Sequence, residues 1–63
     1  MNRAQLEAEA RRRLETLSPS LQELALLRAT GRPIIAWDHM TRAQVERIMG
    51  SAVAVAMIFE VLS

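Results

Sequence analysis

The sequence contains no cysteine, no lysine and no tyrosine, two glycines and two prolines, and a single histidine, tryptophan and phenylalanine. Without cysteine there can be neither a disulfide nor a thiolate metal site. One histidine among scattered carboxylates supplies no metal-ligand spacing. His39 beside Asp38 is the only pair that resembles catalytic equipment. With no cysteine, and with the serines placed where caps and packing explain them, no nucleophile with an ordered base is apparent. Gly31 and Gly50 do not form a phosphate-cradling loop. The expectation is a protein that is not an enzyme and uses no cofactor and no metal.

All eight basic residues are arginine, against seven acids, so the net charge is only +1. The isoelectric point near 9.1 follows from a one-charge excess on groups that stay protonated at ordinary pH. It does not signal the basic surface that non-specific nucleic-acid binding requires. Leu21–Pro33 resembles the opening of a helix-turn-helix, but the register is wrong: the position four before Gly31 is Leu27, where such motifs need a small residue, and the connector that follows is too long. Nucleic acid is therefore not the expected partner, and a small DNA-binding regulator is the alternative reading.

What is present is apolar. Half of the 63 residues (51%) are hydrophobic and 24% are charged, the balance of a folded chain with a core. The length allows one domain, residues 1–63, which buries about 60% of its unfolded surface. With disulfides excluded, oligomerisation is the remedy left to so small a core. The first residues, MNRAQLEAEARRRL, carry charges every few positions and no apolar segment, so no secretory signal is expected and the predicted compartment is cytoplasmic.

The punctuation of the chain predicts three helices and an all-α fold. Asn2 and Gln5 form a capping-box pair ahead of Leu6, Ala10, Leu14 and Leu17 at helical spacing, which places a first helix over 3–17. Its outer faces carry Glu7–Arg11 and Glu9–Arg13 as i,i+4 pairs in the favourable order. Ser18-Pro19 ends it and starts a second helix over 19–30, with Gly31 and Pro33 as its stop. The apolar stripe stays in phase across the proline, so a single kinked helix is the alternative. Residues 32–40 form an apolar connector that should pack down. Thr41 and Gln44 make a second capping box, opening a third helix over 42–62.

From Ile48 to Phe59 no residue is charged. A helix apolar on every side needs more cover than two short amphipathic helices can give, and the expectation is a homodimeric bundle with the third helix at its centre. The predicted dimer interface is Gly50, Ala54, Val55, Ile58 and Phe59, with small residues at i,i+4 allowing close approach. A bilayer is the less favoured cover, because about 15 apolar residues span roughly 22 Å of a 30 Å hydrocarbon core. A small membrane-associated subunit is thus a further alternative. A period-two alternation over Val53, Val55, Met57, Phe59 and Val61 also permits a strand, but the alanines and the capping box favour helix.

Trp37 is either a lid folded onto the helices or an anchor for a partner. Together with Arg12, Arg28 and Arg32 it makes up the predicted partner-binding set. In size and layout the chain is similar to the small helical co-chaperones of type III secretion and to small helical proteins by which phages and plasmids inhibit host factors. That likeness implies an adaptor, inhibitor or co-chaperone. The expected function is accordingly a small protein-interaction module that binds itself and an unidentified protein.

Overall fold

The computed structural model describes residues 1–62, with side chains described through Phe59; Ser63 lies outside the described residues. The order is α1 (Arg3–Glu15), α2 (Pro19–Thr30), a one-turn 3-10 helix at Trp37–His39, and α3 (Arg42–Leu62). All three predicted helices are present, and no strand occurs among the described residues.

Each boundary has a local cause. Asn2 Oδ1 accepts from the Gln5 backbone N–H at 2.8 Å while Gln5 Oε1 accepts from the Asn2 N–H at 2.9 Å, which satisfies two donors that the first turn of α1 leaves free. Thr41 and Gln44 repeat the exchange at 2.7 and 3.2 Å for α3. The predicted extension of the first helix to Leu17 is corrected: α1 ends at Glu15, because Pro19 holds Ser18 extended (φ −63°, ψ 157°) and the chain must turn before it. Leu17 stays buried although it lies outside the helix. The break separates α1 from α2 outright, so the single kinked helix does not form. Gly31 closes α2 in the left-handed conformation, φ 80°, its N–H donating to the Leu27 carbonyl at 2.8 Å.

α1 and α2 both pack along α3 and barely meet each other. Leu6, Ala10 and Val45 form one buried cluster; Leu14, Leu17, Ala25, Ala29, Ile48, Ala52 and Val55 form the other. The pairing of early with early and late with late residues shows that α1 runs parallel to α3, and Arg42 Nη1, 2.6 Å from the Met1 carbonyl, ties their starts together. α2 returns antiparallel. Its Ala25 and Ala29 present almost no side chain to α3, so the two backbones lie close enough for Ser51 Oγ to donate to the Ala25 carbonyl at 2.7 Å.

Candidate interaction surface

The connector is held by α1. Arg3 donates through Nε to the Met40 carbonyl at 2.8 Å and through Nη2 to the Trp37 carbonyl. The 3-10 turn between those carbonyls is closed by the Met40 N–H donating to Trp37 at 3.0 Å. Arg11 places its guanidinium carbon 5.0 Å from the centroid of the Trp37 ring, a cation–π distance. Glu7 sits between the two arginines, 3.0 Å from Arg3 Nη1 and 3.1 Å from Arg11 Nε. Trp37 and Met40 are half-buried and pack against both core clusters. Trp37 is therefore folded onto the helices, with part of its ring still facing solvent. Ile34 departs from the expectation of a packed connector, since it is 82% exposed.

The arginines predicted to meet a partner occupy different settings. Arg12 is engaged on its own helix, in a bidentate contact with Glu9 at 2.6 and 3.1 Å. That hydrogen bond is the main cause that holds the Glu9 carboxyl below its ordinary range; desolvation opposes it, the charges of Arg12 and Arg13 add to it, and the same bond raises Arg12. Arg28 and Arg32 are exposed and make no ion pair among the described residues. The structure thus brings none of Arg12, Arg28 and Arg32 into the Trp37 clamp; the arginines that build it are Arg3 and Arg11. The i,i+4 spacing pointed to the Glu7–Arg11 pair, but nothing local pointed to contacts 34 and 37 residues away.

The residues predicted for a dimer interface divide in two. Val55 is fully buried in the chain's own core, so it offers no surface to another molecule. Gly50 is exposed, with nothing within 4 Å of where a Cβ would stand, and Ala54 is half-buried. Ile58 and Phe59 are 46% and 41% exposed, and Met57 beside them 60%. Three consecutive residues of an α-helix sweep about 200° of its circumference, so this end of α3 is uncovered on most sides. Lengths explain why. The 21 residues of α3 extend about 32 Å, whereas the 13 of α1 and the 12 of α2 extend about 20 and 18 Å. Because α1 starts level with α3, Leu17, just beyond the end of α1, reaches only the level of Val55. The greatest dimension of the molecule, 34 Å, matches the length of α3.

Among the described residues no cluster of histidine and carboxylates is arranged to hold a metal ion, and no helix is long and apolar enough to cross a membrane. Compared with known protein families, curated proteins and solved structures, the chain matches none.

Proposed function

We propose that the chain is a small interaction module without catalytic activity, which pairs with a second copy through the projecting end of α3 and, as a dimer, holds another protein. The observation that carries this reading is the exposure of Met57, Ile58 and Phe59 together toward the C-terminal end of α3. Apolar area removed from water contributes about 25 cal/mol per Å², so an apolar tip of this kind is stabilised by a cover that the chain itself does not supply. A second copy fits because two antiparallel tips are self-complementary about a two-fold axis, with the open side at Gly50 and the short side chain of Ala54 leaving room for close approach.

Sedimentation velocity at micromolar concentration tests the pairing. The wild-type chain is expected to sediment as a dimer, and an Ile58→Glu/Phe59→Glu variant as a monomer with unchanged helicity. A monomeric wild type throughout that range overturns the reading. Val55→Glu is unsuited to this purpose, since it places a charge in the chain's own core. The second half of the proposal is tested by capture from a native extract: a protein held by the wild type should be lost with the monomeric variant.

A further inference from the structure

Where the C-terminal end of α2, the connector and the first turns of α3 meet, the fold leaves a cavity of about 370 Å³, within the size range of small-molecule sites. Arg32, His39, Gln44 and Arg47 line it on the polar side, Ile35 and Met40 on the apolar side, and no carboxylate is among its lining residues.

The absence of an acid at this cavity matters because elsewhere, Arg28 apart, the arginines are paired among the described residues. Arg3, Arg11, Arg12, Arg13 and Arg42 each lie within 3.2 Å of a glutamate oxygen. Neither Arg32, Arg47 nor His39 makes an ion pair among the described residues. Gln44 adds a donor, since its side-chain oxygen is taken by the Thr41 N–H at 2.7 Å and its NH₂ remains for another acceptor. Gln44 also stands in the first turn of α3, where the helix dipole presents its positive end. The lining thus carries two guanidinium groups with no carboxylate to balance their charge.

We infer that this cavity binds a small organic anion, a carboxylate or phosphate monoester carried on an apolar body. Guanidinium groups offer paired donors that match the oxygens of either head group. Arg32 and Arg47 take the anionic oxygens, the amide of Gln44 and a ring N–H of His39 donate to those remaining, and the apolar body lies against Ile35 and Met40. The site is complete within one chain and does not depend on how copies of the chain pair.

Nuclear magnetic resonance titration tests it on the wild-type chain, with phenyl phosphate, phenylacetate and, as a neutral probe, benzyl alcohol. Saturable shifts confined to Arg32, His39, Gln44 and Arg47 are expected with one or both anions, and the tighter of the two identifies the head group. Arg32→Gln and Arg47→Gln should each weaken that binding by about tenfold, the loss of one charge-assisted hydrogen bond. Arg28→Gln, at an exposed position outside the cavity, should leave it unchanged. These three side chains are exposed, and circular dichroism verifies that each variant keeps its helicity. Shifts that grow linearly across all exposed arginines, equal binding of benzyl alcohol, or an equal loss with Arg28→Gln would overturn the site.

Discussion

Arg11 of α1 lies over the ring of Trp37, 5.0 Å from its centroid, and shares Glu7 with Arg3, which grips the backbone on both sides of the same turn. One face of α1 thus holds the connector, while its opposite charged pairs, Glu9 with Arg12 and Arg13, face solvent.

Trp37→Ala is expected to lower the unfolding free energy by about 3 kcal/mol, at the low end for loss of a large side chain because the ring is half-buried. Urea unfolding followed by circular dichroism measures this. Tryptophan emission of the folded wild type should be blue-shifted and poorly quenched by iodide; full quenching contradicts the lid. Glu7→Gln should cost about 1 kcal/mol or less, an effect that high salt removes.

The two glycines should respond to alanine with opposite signs. Gly31→Ala forces a Cβ into a left-handed residue at φ 80° and is expected to cost about 1 kcal/mol. In the monomeric Ile58→Glu/Phe59→Glu background, Gly50→Ala meets open space inside a helix and should add about 0.5–1 kcal/mol. Thermal melts of the two variants in the same buffer decide it.

Close approach of α2 to α3 rests on alanine. Ala25 and Ala52 are 0% and 1% exposed, and enlarging either to leucine separates the two backbones and strains the Ser51–Ala25 hydrogen bond. Each is expected to cost about 1–3 kcal/mol. Melting temperatures unchanged in both variants would contradict the packing described.

Glu9 gives a pH signature. Its lowered pKa means that the contribution of the Arg12 contact is present above the ordinary glutamate range and is lost as pH falls through the lowered value. Carbon-detected titration should place the Glu9 midpoint below that of a glutamate in a model peptide, and Arg12→Ala should move it back up.

The caps carry most of what the sequence made legible. Asn2 with Gln5, Ser18-Pro19, Gly31, and Thr41 with Gln44 act through neighbours in the chain, so residue type alone locates the helix starts and the end of α2. Cover was harder to read. With Ile48–Phe59 apolar on every side, periodicity could not tell which face of α3 receives α1 and α2. Val55 therefore stood among interface residues although the chain encloses it. Alanines at 25, 29 and 52 permit that enclosure by letting two short helices lie close to α3. Likewise, spacing along α1 reveals the Glu7–Arg11 pair but not the grip of Arg3 and Arg11 on the connector, which exists only after α1 has been brought beside it.

Because α1 and α2 rest on α3 and scarcely on each other, the order of synthesis runs against the order of support. Helices of 13 and 12 residues are marginal alone in water. α1 and α2 therefore have nothing to fold against until the 21 residues of α3 have emerged. A fragment that stops short of α3 is accordingly an unfolded peptide open to proteases, with no smaller native form to fall back on.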